Sequence, residues 1–361
     1  MANILKFIVF LIVFASIAVF AVNFYFGSLL TPQGGFFISM DKGSTWQKFG
    51  VLDTGGNINR LNVTDLKHNP KDSRILYAAT LGNGIYKSVD GGEKWHKLVD
   101  ANKVLDSRAD VYSVAVDPDL PDYKNKIPDR FYLGIYQNNF GRVLKTEDGG
   151  LSFKEVYVAA KSKRPVFDVK IDPRRSNIVW VATGEGLLLK SENYGETWRL
   201  VQEFGSAIHS FLINTLNTNQ LFVATFVRGV FTSADGGINW VDESETLNKF
   251  PGSKNIAGVS RNPADGRLYL GTKFGLLRSG DFGVNWEPVD IIFPNEALPV
   301  LDAAFGGPGS ADIYVSLANL VYSTKDGGRF WQVRKLGTEK RINVLWVDPK
   351  NTNRVIAGAG K

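Results

Sequence analysis

Cysteine is absent from this 361-residue chain. That excludes disulfides, thiolate metal centres, cysteine nucleophiles and a lipid-modified cysteine at a membrane. Histidine is scarce. His68, His96 and His209 are the only three, and none lies at metal-ligand spacing from another, so no metal site is expected. No block of five like charges occurs, and the net charge of +6 is spread along the chain. A nucleic-acid-binding tail is therefore not indicated, and no nucleic-acid partner is expected. Nothing in the chain reads as a cofactor motif, so no cofactor is expected.

One long apolar run stands out. Residues 7–30 read FIVFLIVFASIAVFAVNFYFGSLL, without a charge. At 1.5 Å per residue this is long enough to cross a hydrocarbon core of about 30 Å. The competing reading is a secretory signal cleaved near Ser16-Ile17-Ala18. Hydrophobicity continues past that point to Phe24-Tyr25-Phe26, which favours an uncleaved signal-anchor helix. The expected organisation is a membrane anchor and short linker over 1–33, followed by a folded unit over 34–361. The expected location is a single-pass membrane protein with the folded unit outside the cytoplasm.

That folded unit repeats one phrase seven times: a hydroxyl residue, a carboxylate, glycine, then an aromatic. The carboxylate and aromatic are Asp41 and Trp46, Asp90 and Trp95, and Asp148 and Phe153 in the first three copies, and the fourth has Asn193 in the carboxylate's place, with Trp198. Asp235 and Trp240, Asp281 and Trp286, and Asp326 and Trp331 complete the set. Spacings run from 42 residues (Asn193 to Asp235) to 58 (Asp90 to Asp148). Between copies lie short β-rich runs: an apolar strand ending in a turn such as Asp117-Pro118 or Asp172-Pro173, a second strand, a glycine turn and a third strand. Four strands per unit predict an all-β, seven-bladed propeller with four-stranded blades. Residues 341–361 supply two strands and then stop, whereas residues 35–46 supply two strands with no preceding pair. One blade is therefore expected to be shared by both ends of the unit.

The phrase resembles the Asp-box, or bacterial neuraminidase repeat. It occurs in sialidases, xyloglucanase-type glycosidases, sortilin-type receptor propellers and photosystem II assembly-factor propellers. The resemblance covers about residues 36 to 361, and the overall look is similar to the photosystem II assembly-factor group. Physically the phrase reads as a hairpin lock. The carboxylate accepts turn amides, glycine permits positive φ, and the aromatic caps the blade's apolar layer. These acids are thus expected to be structural, and Asn193 in the fourth copy is compatible with nothing more.

Candidate chemistry is expected at the opposite end of the blades, where the innermost strands line a channel. Aligning their starts places Asp168, His209, Ser210, Asp302 and Asn343 at the channel mouth, with Glu185 and Arg228 on nearby short loops. Lys103, Arg108, Lys163 and Arg164 lie on long inter-blade loops as candidate contacts. A sialidase-like site would need a Phe/Tyr-Arg-Ile-Pro motif, which is missing, and three convergent arginines drawn from Arg60, Arg108, Arg164, Arg228 and Arg341. Xyloglucanase-type enzymes tend to place their cleft between two propellers, and this chain has one. The expectation is therefore a non-catalytic, membrane-tethered module that binds a protein or peptide partner. The alternatives are a glycoside hydrolase, sialidase- or xyloglucanase-like, or a structural subunit of a membrane complex. For a hydrolase the best channel-facing pair of acids is Asp168 and Asp302, which fall three blades apart where a two-carboxylate mechanism calls for about 5–10 Å.

Overall fold

The computed structural model describes residues 34–119, 129–291, 298–307 and 309–361. The apolar run at 7–30 lies outside them. Among the described residues no helix is long and apolar enough to cross a membrane. Everything described belongs to one ring of seven antiparallel sheets. Six sheets have four strands. The seventh gains a short parallel edge strand, Val51–Leu52, against Lys94–Lys97.

The innermost strands, in chain order, are Val63–His68, Asp110–Val116, Val166–Asp172, Ile208–Ile213, Ile256–Arg261, Val300–Phe305 and Arg341–Asp348. They define blades one to seven. Blade seven is built as the strand count requires. Asn351–Gly360 pairs with Arg341–Asp348 on one side and with Gly35–Ser39 on the other. The core consists of apolar layers between successive blades. One such layer packs Ile75, Tyr77 and Ile85 of blade one against Val111, Phe131 and Leu133 of blade two.

The repeated phrase forms the turn between the third and fourth strands. In the first copy Ser39 Oγ donates to Asp41 at 2.7 Å and accepts Gly43 N–H at 2.7 Å, while Asp41 accepts Thr45 N–H at 2.8 Å. The other copies repeat this pattern. In the fourth, Asn193 Oδ1 accepts Ser191 Oγ and Thr197 N–H, both at 2.9 Å, and its amide donates to Thr197 Oγ1. The lock needs one acceptor oxygen and not a charge, which explains why asparagine serves. Glycine is required because the fourth turn position has positive φ, 96° at Gly92. The aromatics cap the inter-blade layers, and Trp95, Phe153 and Trp286 are fully buried.

These bonds carry a pH signature. Thr45 N–H and hydroxyl donors hold the Asp41 carboxyl at about 2, and Asn239 donors do the same for Asp235. Depressed folded-state values stabilise the fold above the unfolded carboxylate range, and the contribution is lost as pH falls toward 2. For the third copy, Asp148 accepts Leu151 N–H at 3.0 Å and Ser152 N–H at 2.9 Å. Replacing Asp148 by alanine is expected to cost about 1–2 kcal/mol in urea unfolding at neutral pH. Replacement by asparagine is expected to cost a few tenths of that, as the fourth copy implies.

Candidate functional site

Every innermost strand breaks register at the same level. The pairing skips one residue between Val63 and Asp65, Val111 and Ser113, Val166 and Asp168, and Ile208 and Ser210. It skips one again between Ile256 and Gly258, Val300 and Asp302, and Ile342 and Val344. A bulge re-aims the side chain it frees. Here the freed residues are Thr64, Tyr112, Phe167, His209, Ala257, Leu301 and Asn343, and all seven line a central cavity of about 660 Å³. The next residue down each strand forms a second ring: Asp65, Ser113, Asp168, Ser210, Gly258, Asp302 and Val344. All of these also line the cavity.

The upper ring is aromatic on one side. Tyr112 meets Phe167 edge-on at 5.2 Å, Phe167 meets Phe226 at 5.2 Å, and Phe226 meets the His209 ring at 5.0 Å. Phe226, from the turn after the second strand of blade four, is 40% exposed. Burial pushes the His209 imidazole below the usual histidine range, so it stands neutral in this wall. Its Nδ1 is buried and meets no acceptor or donor among the described residues.

The lower ring is acidic, and it stitches blades together. Asp65 accepts Val114 N–H of blade two at 3.0 Å, Asp168 accepts Phe211 N–H of blade four at 3.1 Å, and Asp302 accepts Leu345 N–H of blade seven at 2.8 Å. Ser113 and Ser260 donate forward to Asp168 (3.1 Å) and Asp302 (2.9 Å). Between blades five and six the approach is closest at Gly258, where a Cβ would sit 2.1 Å from the Leu301 carbonyl oxygen.

The three acids differ in their counter-charges. Asp65 pairs with Lys67 at 2.7 Å and Asp168 with Lys170 at 2.9 Å, each two residues further along its strand. The corresponding position after Asp302 is Ala304. Burial therefore dominates at Asp302 and pushes its carboxyl up to about 6, against the Leu345 N–H, the Ser260 hydroxyl and the more distant Lys67. A folded value above the unfolded one stabilises the fold below pH 4, and that contribution is lost as pH rises through 6. Comparing wild type with Asp302→Asn from pH 4 to pH 7, the variant's relative stability is expected to improve by about 2–3 kcal/mol. Urea midpoints across that range check the sign.

Of the residues expected from sequence, Asp168, His209, Ser210, Asp302 and Asn343 come together on the cavity wall. Glu185 does not. It sits on a turn and accepts the Lys161 N–H at 3.1 Å. Arg228 is exposed and does not line the cavity, and its carbonyl is held by Ser244 Oγ at 2.8 Å. Lys103, Arg108, Lys163 and Arg164 are exposed on the rim loops and do not line the cavity. Arg60, Arg108, Arg164, Arg228 and Arg341 do not converge there either, and the only arginine among the described lining residues is Arg261. Sequence reasoning missed Asp65, Lys67, Lys170 and the aromatic arc. The recurrent apolar-x-polar start of the inner strands (Val63-Thr64-Asp65, Val166-Phe167-Asp168, Val300-Leu301-Asp302) was the signal that could have found Asp65 and Phe167.

No protein-family profile matches the chain. Its curated relatives are glycoside hydrolases. A xyloglucanase from Paenibacillus sp is 37% identical over 349 residues, covering 80% of this chain and 32% of that protein. Xyloglucanase Xgh74A of Acetivibrio thermocellus is 30% identical over 154 residues, 38% of this chain and 18% of the relative. An oligoxyloglucan-reducing end-specific xyloglucanase of Emericella nidulans is 25% identical over 243 residues, 60% and 28%. The chain thus spans less than a third of the length of these relatives.

Among solved structures, the GH74 xyloglucanase from Xanthomonas campestris superposes with a TM-score of 0.67 at 16% identity, covering 83% of this chain and 51% of that one. YCF48 bound to D1 peptide superposes at 0.61 and 16%, covering 83% and 93%. At these identities the structures establish the shared seven-bladed fold. The curated sequence relatives overturn the expectation of a non-catalytic binding module that is not an enzyme, because the proteins this chain is similar to are enzymes that hydrolyse glycosides.

Proposed function

We propose that this chain is a glycoside hydrolase propeller that acts on a xyloglucan-type polysaccharide through its central channel. The observation that carries the reading is the pairing of an aromatic arc at the channel mouth with a carboxyl poised near neutrality beneath it. Pyranose rings present apolar C–H faces, and Tyr112, Phe167 and Phe226 offer a wall against which to lay them. Below, Asp302 can deliver a proton to a departing glycosidic oxygen, since much of it remains protonated near pH 6. Asp168, held as an ion pair by Lys170, serves as the second carboxylate, on water or on the anomeric carbon. The xyloglucanase relatives support this substrate class.

Two further readings accompany it. The seven locked hairpins support membership of the Asp-box propellers, and the apolar run at 7–30 supports tethering at the cell envelope on the side where polysaccharide is met.

The test is release of reducing ends from xyloglucan by the purified chain between pH 4 and 8. Wild type is expected to show turnover, and Phe226→Ala is expected to raise KM about tenfold with kcat little changed. Absence of both turnover and saturable oligosaccharide binding would sink the reading.

A further inference from the structure

The far half of the channel has a different chemistry from its mouth. Lys67, Lys170 and Arg261 reach the same cavity from blades one, three and five, beside Ser260 and Trp346. Each lysine spends one N–H on its aspartate, at 2.7 and 2.9 Å, and keeps two for other acceptors. Arg261 has no ion pair among the described residues, and its buried Nε meets no acceptor there. The carboxylate whose field it feels, Asp265, is paired with Arg267 at 3.5 Å. Burial disfavours the Arg261 charge, and the guanidinium is partly desolvated with its Nε donor unused. A planar fork of N–H donors on a cavity wall suits an oxyanion, which can take two parallel bonds.

We propose that the far half of the channel is an oxyanion site, built on Arg261 with Lys67 and Lys170, that takes a carboxylate- or phosphate-bearing sugar. The site stands on the channel geometry alone and does not require the hydrolytic reading.

Isothermal titration of the full chain at pH 7 with glucuronate, inorganic phosphate and neutral glucose tests it. The expected result is saturable one-to-one binding of at least one anion, with glucuronate, if it is that anion, held at least ten times more tightly than glucose. Arg261→Gln should weaken that binding at least tenfold, and Arg261→Lys should restore part of it. Glucuronate alone identifies a sugar acid, whereas phosphate, alone or with glucuronate, identifies a phosphate-accepting site. Binding of neither anion, or equal binding by Arg261→Gln, overturns the proposal. If Arg261→Gln fails to fold by thermal melt, Lys170→Gln takes its place. The same tenfold loss is then expected, and unchanged binding overturns the proposal in the same way. Because the readout is binding, a chain that binds anions but cleaves no glycoside separates this inference from the proposed activity.

Discussion

Removing residues 351–361 should abolish cooperative folding of the entire ring, not merely loosen one blade. Asn351–Gly360 is the strand through which the two ends of the described unit meet, and it carries a backbone ladder on each edge. It buries Val355, Ile356, Ala357 and Ala359 completely. Losing the Val355 and Ile356 side chains alone forfeits about 1.5–3 kcal/mol each. The truncation also exposes the edges of Gly35–Ser39 and Arg341–Asp348, and it removes Arg354, which pairs with Asp348 at 3.2 Å within the C-terminal hairpin. Against a typical total of about 5–15 kcal/mol the loss is decisive. Calorimetry should show no unfolding transition for the truncated chain, while Ile356→Val should keep a single transition and cost about 0.5–1.5 kcal/mol. A truncated chain that melted cooperatively would mean that six blades are stable without closure.

Asp302→Asn carries the second large effect. On the proposed reading, kcat on xyloglucan falls about 10²–10⁴-fold, because the amide cannot deliver a proton. KM should change little, since the arc of Tyr112, Phe167 and Phe226 is untouched. The fold should survive, because asparagine keeps one acceptor for the Ser260 and Ala303 donors and loses the bond from Leu345 N–H. On that reading Asp302 has two tasks, joining blades six and seven and holding a proton. The substitution separates them, as a structural role predicts a shift in melting behaviour with kcat preserved.

The architecture was legible because the sequence repeats it. Seven glycine–aromatic turns, six with an acid and one with Asn193, set the hairpins, and the incomplete strand pairs at 35–46 and 341–361 left only one way to close the ring. The cavity wall was half legible. Asp168 and Asp302 could be found by aligning strand starts, yet Asp65 sits in the same register and was passed over. Phe167 and Leu301 read as core residues under two-residue alternation, and the bulge that turns them into the channel cannot be seen in that pattern. Phe226 lies in a turn, and only tertiary placement brings it to the His209 ring. Arg228 fails for the converse reason: it is close in sequence to Phe226, but it does not line the cavity.

Activity was the least legible property, because the repeat determines the scaffold and says nothing of the channel. The missing Phe/Tyr-Arg-Ile-Pro motif argues against a sialidase, but it does not argue against an enzyme of another kind. Three acids distinguished by whether a lysine follows two residues later leave a faint trace in sequence. Lys67 and Lys170 supply that difference, and Ala304 withholds it.

The central claim is that Asp302 donates the proton to the leaving group. Its most direct test compares Asp302→Asn on two substrates: xyloglucan oligosaccharide, whose leaving group needs protonation, and a dinitrophenyl β-glycoside, whose leaving group does not. The account predicts that the variant loses at least a hundredfold on the oligosaccharide and retains near wild-type cleavage of the aryl glycoside. Equal loss on both substrates, or undiminished cleavage of the oligosaccharide, would contradict it.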